Sequence, residues 1–344
     1  MDDKKDIFEY EDHFAKYHHI ESKFLYGNIE DCPNPTVSIL MPIFNASLKF
    51  FKIAFDSAMN QDYDESYEIV VVDNTPYSEE KTKAFEYIES LHPKNVFYYR
   101  NTENIGARAN WNRCIELARA PYITFLHDDD QFMPYCLSDL MDLKSYFHYA
   151  WIACRYNDID VDGRIIREKK PPKAILPFFK PKEHHKVTKW DLFLNGAGTC
   201  VGSLFEREKM IEIGGFPLHV IALDNALQMV YTAKYGGGYI EKTLYNRRDG
   251  VGATITKGVW KQSADDYDFL RQCMQKHLNA PDYVLNALRK SCYNFFQWYY
   301  AYIQGHAATK EDYKKMVPLK DRIVFQSFRR ILDIKKYKFS LTGW

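Results

Sequence analysis

Three consecutive aspartates, Asp128, Asp129 and Asp130, are the residues of this sequence whose type and spacing most clearly suggest chemistry. They directly follow the apolar run YITFL at 122–126. Neighbouring carboxylates raise one another's pKa, and a bound divalent cation removes that electrostatic penalty. Mg²⁺ and Mn²⁺ favour oxygen ligands and commonly combine carboxylates with substrate phosphates. The triplet therefore predicts a metal–diphosphate site; the alternative is a solvated acidic turn or a helix N-cap before Pro134.

The elements that would position the triplet have the pattern of an α/β sheet. Short apolar runs that predict strands lie at residues 36–41, 68–72, 96–99 and 122–126. Segments with helical spacing of apolar side chains lie between them, at residues 48–60, 79–91 and 107–119. Near-continuous apolar strands that alternate with helices indicate a parallel sheet covered by helices on both faces.

Polar residues with distinctive chemistry follow three of these four strands. Phe44 and Asn45 follow the first strand, Asp73 and Asn74 end the second, and the triplet follows the fourth. In open α/β sheets, ligands bind beyond the carboxyl ends of the strands. The sequence therefore predicts a binding site at this edge of the sheet.

Several motifs occur together in the order and spacing of a known family. They are VSILMPIFN at 37–45, EIVVVDN at 68–74, NIGARANWNRCIELARAPYITFLHDDD at 104–130 and LDN at 223–225. Together they resemble the family 2 glycosyltransferases over roughly residues 36–250. The resemblance implies an α/β fold with a mostly parallel central sheet and helices on both faces, which is the GT-A or nucleotide-diphospho-sugar transferase fold.

The resemblance and the composition divide the chain into three parts. Residues 1–35 are predicted to be an N-terminal extension that ends in a Pro-Asn-Pro linker. Residues 36–255 are the GT-A catalytic domain, with a donor-binding half at 36–130 and an acceptor half at 131–255. Residues 256–344 form a helical C-terminal extension. Within the acceptor half, residues 169–188 are rich in Lys, Pro and His and predict a loop.

The resemblance assigns the nucleotide contacts to the first two strand ends. Pro42 and Phe44 should flank the base, with the Phe44 ring placed to stack on uracil. Asp73 and Asn74 should form hydrogen bonds with the base or the ribose. Many family members carry two aspartates where this chain has Asp73 and Asn74, and an amide can donate as well as accept, so its base preference can differ.

The resemblance also assigns the diphosphate contacts. Asp128 and Asp129 match the metal-and-sugar carboxylates, with Asp129 the best candidate ligand for Mn²⁺ or Mg²⁺. Asp130 is a second candidate metal ligand because the triplet aligns in more than one register. Many members carry Ala-Arg-Asn where this chain has Asn-Trp-Asn at 110–112. Arg108 either supplies the missing cation to the diphosphate or is a surface charge of its helix.

Asp224 is the candidate catalytic base. In the family, a carboxylate in the second half takes the proton of the acceptor hydroxyl as that oxygen attacks the anomeric carbon and inverts its configuration. Such a carboxylate must lie within hydrogen-bonding reach of the hydroxyl. The alternative is that Asp224 is an ordinary helix N-cap, where the helix dipole would lower its pKa and weaken it as a base.

The C-terminal tail is basic. Residues 310–338 contain ten Lys or Arg and four Asp or Glu. Their predicted apolar helix face consists of Val324, Phe325, Phe328, Ile331 and Leu332. A basic amphipathic helix of this kind binds anionic membrane surfaces, which would suit a lipid-linked acceptor. The alternative is a helix packed on the catalytic domain.

Composition excludes several other classes of protein. Lys plus Arg and Asp plus Glu both number 46, so the broad basic field of a nucleic-acid-binding protein is absent. The seven cysteines are scattered and form no CxxC pair, which argues against a disulfide framework or a zinc site. The polar N-terminus resembles no signal peptide, and no apolar run approaches 18 residues. We therefore expect a cytoplasmic protein that is at most peripheral on the inner face of the membrane.

The resemblance, together with these observations, implies an inverting glycosyltransferase. It would move a sugar from a nucleotide-diphosphate donor, with UDP the commonest in the family, to a hydroxyl of a saccharide or lipid-linked acceptor in bacterial-type surface polysaccharide or glycoconjugate synthesis. A nucleotidyltransferase is one alternative, but MPIFNASLKF at 41–50 lacks its glycine- and basic-rich phosphate loop. A non-catalytic sugar-nucleotide-binding module is the other, and it would have little need for Asp224.

Overall fold

The computed structural model describes residues 4–168, 179–194, 198–251, 260–303, 309–334 and 337–339. Its α-helices are α1 (Leu48–Met59), α2 (Lys83–Leu91), α3 (Ala107–Leu117), α4 (Cys136–Tyr146), α5 (Lys189–Leu194), α6 (Arg207–Glu212), α7 (Leu223–Tyr235), α8 (Trp260–Gln275), α9 (Asp282–Ile303), α10 (Lys310–Met316) and α11 (Leu319–Ile334). Its strands are β1 (Ser22–Tyr26), β2 (Val37–Ile43), β3 (Tyr67–Asp73), β4 (Val96–Asn101), β5 (Tyr122–Phe125), β6 (Gln131–Phe132), β7 (Trp151–Ile159), β8 (Ile165–Arg167), β9 (Phe179–Pro181), β10 (His184–Val187), β11 (Leu204–Glu206), β12 (Gly237–Arg248) and β13 (Tyr337–Phe339).

One large sheet runs through the molecule in the order β1-β4-β3-β2-β5-β11-β7-β12-β10. Strands β4, β3, β2 and β5 are parallel, as the sequence predicted. In the second half, β11 lies antiparallel between β5 and β7, so the sheet as a whole is mixed. Ile39 of β2 pairs with Ile69 on one side and Thr124 on the other, which brings the carboxyl ends of these strands to one edge.

The sheet has a hydrophobic core on each face. Leu40 and Val70 point into a core that includes Ile115 of α3. Ile39 and Val71, one residue away from them in each strand, point into the opposite core with the helices α1, α2 and α4. Successive side chains of a strand alternate between faces, so strands buried on both faces are apolar throughout. The predicted fold class, an α/β sheet covered by helices on both faces, is confirmed.

The segment before the first predicted strand also joins this sheet. Ser22 of β1 pairs with Asn101, which places β1 antiparallel to β4 at the edge of the sheet. This strand was not predicted from the sequence, and its pairing with β4 joins it to the sheet. The predicted boundary between the catalytic domain and the C-terminal region, at 255/256, lies outside the described residues.

The prediction of a loop over residues 169–188 is wrong for residues 179–181 and 184–187, which form strands. Residues 184–187 form β10, which pairs with the start of β12 through His185 and Tyr239. Residues 179–181 form β9, which pairs with β13. Local polarity gave no strand signal, and pairing with distant strands overrides it. Residues 169–178 lie outside the described residues.

The C-terminal region is helical, as expected, with a short strand near its end. Phe325 of α11 is only 1% exposed. Its ring stacks on Phe295 of α9 at 4.4 Å between centroids. Val324 and Phe328 pack against the same core. The predicted apolar face therefore packs inside the protein as far as side chains are described, which excludes those of Ile331 and Leu332.

Two apolar side chains of α11 point away from this core. Leu319 is 62% exposed and Ile323 is 57% exposed. In the part of the chain that the structure describes, no helix combines the length and apolar character needed to cross a membrane.

Candidate active site

The aspartate triplet lies in the short connection between β5 and β6. The N–H of Leu126 donates to the carbonyl of Leu40 at 2.9 Å, which ties the start of the connection to β2. Phe132 of β6 pairs with Tyr245 of β12, which fixes its other end. The triplet therefore sits at the carboxyl edge of the sheet, where the sequence predicted a ligand site.

Arg248 at the end of β12 holds this connection in place. Its backbone N–H donates to Oδ1 of Asp130 and its Nε donates to the carbonyl of Asp129, both at 2.9 Å. Its Nη1 donates to the carbonyl of Asp160 at 2.7 Å. Arg248 is 4% exposed. Its side chain is thus committed to anchoring the triplet from the acceptor half of the sheet.

His127 completes a group of possible metal ligands that the sequence had not singled out. One ligand atom each from His127, Asp129 and Asp130 lie within 4.8 Å of one another. Nδ1 of His127 is 3.3 Å from Oδ2 of Asp130. The His127 ring meets the Trp111 ring edge-on at 5.0 Å. Its position directly before the triplet was the one available signal in the sequence.

The group brings several partly buried carboxylates close together. Burial, followed by the charge of Asp129, raises the pKa of Asp128 to about 6. Burial and the charge of Asp130 raise the pKa of Asp129. Burial alone would lower the pKa of His127, but its hydrogen bond with Asp130 and the nearby carboxylates raise it to about 9. These shifts indicate a site that favours a cation.

The donor set has the chemistry that a divalent ion requires. Mn²⁺ binds both carboxylate oxygen and imidazole nitrogen, and the three ligand atoms lie close enough together to share one ion. Two carboxylates and one imidazole leave positions open for diphosphate oxygens. Of the predicted metal ligands, Asp129 and Asp130 belong to the group, whereas Asp128 lies beside it.

Phe44 lies where the sequence predicted a base-stacking ring. It directly follows β2 and is 48% exposed. Asn45 has a left-handed backbone, with φ of 47°, and its N–H donates to the Thr75 hydroxyl at 3.0 Å. That contact joins the ends of β2 and β3. Pro42 is half-buried within β2.

Asp73 points into the protein at the end of β3. Its Oδ2 accepts hydrogen bonds from the hydroxyls of Tyr98, at 2.5 Å, and Thr82, at 3.2 Å. Its Oδ1 accepts from the N–H of Thr75 at 2.9 Å. With 1% exposure, its carboxylate must exchange these partners before it can bind a base.

Asn74 is also engaged in internal hydrogen bonds. Its Oδ1 accepts from Nδ2 of Asn101 at 2.9 Å and from the N–H of Ile105 at 3.0 Å. Its Nδ2 donates to Oδ1 of Asn104 at 2.8 Å. Asn101 also donates to Asn110 of α3 at 2.9 Å. The structure thus places Asn74 in a buried amide network that joins β3, β4 and α3.

Helix α3 connects the donor half to the acceptor half. Nη1 of Arg108 donates to the carbonyl of Leu218 at 2.7 Å. Asn112 both donates to the carbonyl of Phe216 and accepts from its N–H, at 3.1 and 2.8 Å. Trp111 stacks on Phe125 at 4.9 Å. In this structure, the Arg108 guanidinium therefore holds the 216–218 backbone, and its contact with a diphosphate stays a prediction.

Asp224 lies on the acceptor side of the triplet. It is the second residue of α7, whose N-cap position is Ala222, so Asp224 is not the N-cap. The thiol and the backbone N–H of Cys200 face its carboxylate and lower its pKa. Cys200 adjoins Val201, which forms a bridge with Phe125 at the end of β5. These contacts bring α7 to the same edge of the sheet.

Asp224 also interacts electrostatically with His127, the residue directly before the triplet. Burial raises the pKa of Asp224, and the charge of His127 and the Cys200 hydrogen bonds offset part of that rise. The charge of Asp224 in turn contributes to the raised pKa of His127. A carboxylate with a raised pKa is a stronger base than an ordinary aspartate. The arrangement thus combines a cation-favouring group with a candidate base.

A family model described as "Glycosyl transferase family 2" matches residues 38–214, just over half of the 344 residues. The matched span begins in β2 and contains the triplet. This chain belongs to glycosyl transferase family 2. The resemblance inferred from the motifs is thereby confirmed. Asp224 lies beyond the matched span, so its role as the catalytic base stays a prediction.

Curated relatives of this family 2 member are similar over part of their length. An uncharacterized glycosyltransferase of Methanocaldococcus jannaschii is 28% identical over 171 residues, which are 46% of this chain and 56% of the relative. The putative colanic acid biosynthesis glycosyl transferase WcaA of Escherichia coli is 36% identical over 105 residues, 30% of this chain and 36% of the relative. The chain therefore spans well under two thirds of either relative.

Solved structures show the same fold. Residues 1–349 of TarS from Staphylococcus aureus, in complex with UDP-GlcNAc, superpose with a TM-score of 0.56 at 15% identity, covering 87% of this chain and 81% of that one. The mannosyltransferase PcManGT of Pyrobaculum calidifontis, in complex with GDP-Man and Mn²⁺, gives 0.50 at 14% identity, covering 88% and 84%. These likenesses confirm the predicted GT-A fold.

Proposed function

We propose that this chain is an inverting glycosyltransferase that transfers a sugar from a nucleotide-diphosphate donor to a hydroxyl group of a saccharide or lipid-linked acceptor. The observation that carries the proposal is the placement of Asp224 beside the triplet connection. At one edge of the sheet, His127, Asp129 and Asp130 form a group suited to a cation and a diphosphate. Asp224 adds a carboxylate whose pKa is raised.

The donor is proposed to be a UDP-sugar. The exposed Phe44 ring offers a flat apolar surface for a base at the end of β2. TarS was solved with UDP-GlcNAc, whereas PcManGT was solved with GDP-Man. Both nucleotides therefore belong in any test. Pro42, Asp73, Asn74 and Arg108 remain the other proposed donor contacts.

His127, Asp129 and Asp130 would hold the divalent ion, Mn²⁺ or Mg²⁺. When bound, such an ion supplies positive charge to the diphosphate as it leaves the sugar. Arg248 keeps the connection rigid through two hydrogen bonds to its aspartates. Asp128 is proposed to face the donor sugar or diphosphate, and its raised pKa makes it sensitive to the charge there.

Asp224 is proposed to act as the general base. Its carboxylate would accept the proton of the acceptor hydroxyl while that oxygen forms a bond to the anomeric carbon. The bond between that carbon and the diphosphate oxygen breaks on the opposite face, so configuration inverts. The raised pKa of Asp224 brings its basicity closer to working pH.

We place the activity in surface polysaccharide or glycoconjugate synthesis of the bacterial type. WcaA is described as a colanic acid biosynthesis enzyme. A Campylobacter jejuni glucosyltransferase that is 28% identical over 118 residues is named for a lipid-linked acceptor, GalNAc(5)-diNAcBac-PP-undecaprenol. The seven cysteines are buried and none of them is in a disulfide bond, which suits a reducing cytoplasm.

A lipid-linked acceptor would bring the chain to the inner face of a membrane. Since the Phe325 face of α11 is packed inside, we propose that the exposed Leu319 and Ile323 make the peripheral contact, with Lys320 and Arg322 beside them. Anionic liposomes should pellet the full chain, and the double variant Leu319→Glu, Ile323→Glu should pellet less. Equal pelleting of the two proteins would discard this contact.

The donor proposal is tested by thermal shift. A panel of UDP, GDP, UDP-GlcNAc, UDP-glucose and GDP-mannose is applied with Mn²⁺, with Mg²⁺ and with EDTA. A ligand that binds only the folded state raises the melting temperature by mass action. We expect metal-dependent stabilisation by one nucleotide class. Stabilisation by no member of the panel would refute the donor proposal.

The base proposal is tested by Asp224→Asn. The variant should retain nucleotide-induced stabilisation and lose most sugar transfer, because an amide cannot take the proton. Release of the free nucleotide from the best-stabilising sugar nucleotide reports turnover. A folded variant with wild-type turnover would show that Asp224 is not the base.

A further inference from the structure

The start of α7, the helix that carries Asp224, is held by a carboxylate from the C-terminal region. Oδ2 of Asp266 in α8 accepts hydrogen bonds from the N–H groups of Ile221, at 2.6 Å, and Ala222, at 2.8 Å. Asp266 is 0% exposed. Lys4 reaches its other oxygen at 2.6 Å and balances the buried charge. The backbone that leads into Asp224 is therefore fixed from outside its own helix.

The next residue of α8, Tyr267, contacts the residue that follows Asp224. Nδ2 of Asn225 donates to the hydroxyl of Tyr267 at 2.6 Å. The Tyr267 ring itself stacks on Phe296 of α9 at 5.4 Å. Asp266 therefore holds the backbone two and three residues before Asp224, and Tyr267 holds the side chain of the residue directly after it.

Helix α7 lacks a cap of its own at this end. Its N-cap residue, Ala222, has no side chain that could accept a hydrogen bond from the first turn. The first N–H groups of a helix have no intrahelical acceptor, and a negative charge beside them is favourable. Asp266 supplies both the acceptor and the charge from another element, so removing it should loosen the start of α7.

Helix α8 is itself firmly seated. Nε of Arg271, one turn after Tyr267, donates to the carbonyl of Phe193 in α5 at 2.7 Å, and Arg271 is 1% exposed. The Arg271 guanidinium also lies over the Phe296 ring at 4.3 Å. Asp266 and Tyr267 thus extend from a helix that is held firmly in place.

We propose that Asp266 and Tyr267 are positioning residues that set the location of Asp224, and that the C-terminal helical region is thereby an integral part of the acceptor site. The inference rests on the proposed function of Asp224. A general base must lie within hydrogen-bonding reach of the hydroxyl, and small displacements of a reacting group are costly. Nothing in these contacts touches the donor edge, so donor binding should not depend on them.

The test uses the full chain with the sugar nucleotide of the thermal-shift panel that stabilises it most. Asp266→Asn should lower kcat by about 10- to 100-fold, the scale of a misplaced catalytic group. The KM for the donor and the stabilisation by UDP with Mn²⁺ should stay at wild-type values. Tyr267→Phe, which removes one hydroxyl, should lower kcat less. Asp265→Asn is the matched control, because Asp265 contacts Tyr293 instead of α7.

The outcomes separate this inference from the proposed function. If Asp224→Asn is inactive while folded Asp266→Asn and Tyr267→Phe keep wild-type kcat, the positioning role is wrong and the base proposal stands. If Asp224→Asn keeps wild-type kcat, the base proposal itself fails. Should Asp266→Asn lose UDP binding through misfolding, Tyr267→Phe decides: a selective loss of kcat supports the inference, and wild-type kcat overturns it.

Discussion

Replacing His127 by glutamine tests the metal site most directly. The change removes the one nitrogen donor of the His127, Asp129 and Asp130 group and keeps a polar side chain in its place. Even residues that only support a metal ligand contribute about 10- to 100-fold to metal affinity. We therefore expect Mn²⁺ affinity to fall at least about tenfold, which corresponds to about 1.4 kcal/mol.

Thermal shift translates this loss into stability. At a free Mn²⁺ concentration about 100 times the Kd, the ion stabilises the fold by about 2.7 kcal/mol, and a tenfold weaker site by about 1.4 kcal/mol. Imidazole nitrogen favours transition-metal ions over Mg²⁺. His127→Gln should therefore lose more Mn²⁺ affinity than Mg²⁺ affinity. Pulsed EPR of bound Mn²⁺ should show coupling to a nitrogen nucleus in the wild type and not in the variant.

The pH dependence gives an independent signature. With a pKa of about 9, His127 is protonated at neutral pH in the metal-free protein. An ion that binds this nitrogen must displace the proton, so Mn²⁺ affinity should rise about tenfold per pH unit up to about pH 9, and this part of the rise should disappear in His127→Gln.

His18→Gln is the matched control, since the His18 ring is 56% exposed and pairs with Glu116 instead of the triplet. Unchanged Mn²⁺ stabilisation and a retained nitrogen coupling in His127→Gln would refute the assignment of His127 as a ligand.

Three further predictions concern stability and catalysis. Glu68 is fully buried and binds Ser38 and Arg119, so Glu68→Gln should cost about 3 kcal/mol in urea unfolding; a loss below about 1 kcal/mol would contradict this. Phe325→Ala should cost about 3–5 kcal/mol in the same assay because its ring is buried against α9, and near-wild-type stability would mean that this face is free. Burial raises the pKa of Asp224 above 3.8, so in a pH profile kcat should begin to fall at a pH above 3.8 as Asp224 becomes protonated. A kcat that stays constant down to pH 3.8 would argue against Asp224 as the base.

The donor half was predictable from sequence because its strands are buried on both faces. The run predicted at 68–72 appears as Tyr67–Asp73, and the helix predicted at 107–119 appears as Ala107–Leu117. Such strands carry their own signature as continuous apolar runs. Strand β10 has the sequence HHKV and exists only because β12 pairs with it, so no local pattern could predict it.

The site was predictable only in part, for a related reason. The triplet was recognisable as three consecutive aspartates that follow an apolar run. Asp224 was recognisable from its place in the family pattern. The inward hydrogen bonds of Asp73 depend on Tyr98 from the neighbouring strand, and those of Asn74 depend on Asn101. These contacts follow from the register of β3 with β4, which a single sequence does not specify.

The structure of the acceptor half was the hardest to predict because its key contacts join segments that are far apart in sequence. Nδ2 of Asn110 in α3 donates to the carbonyl of Val72 in β3 at 2.9 Å. Two residues later, Nδ2 of Asn112 donates to the carbonyl of Phe216 and its Oδ1 accepts from the N–H of Phe216. The chain that follows Phe216 enters α7 and reaches Asp224 eight residues on. Helix α3 thus contacts the end of a donor strand on one side and the approach to the candidate base on the other. Asn110, which stands where many family members carry alanine, and Asn112, which matches their asparagine, therefore have a structural role of their own: they tie α3 to both halves of the site.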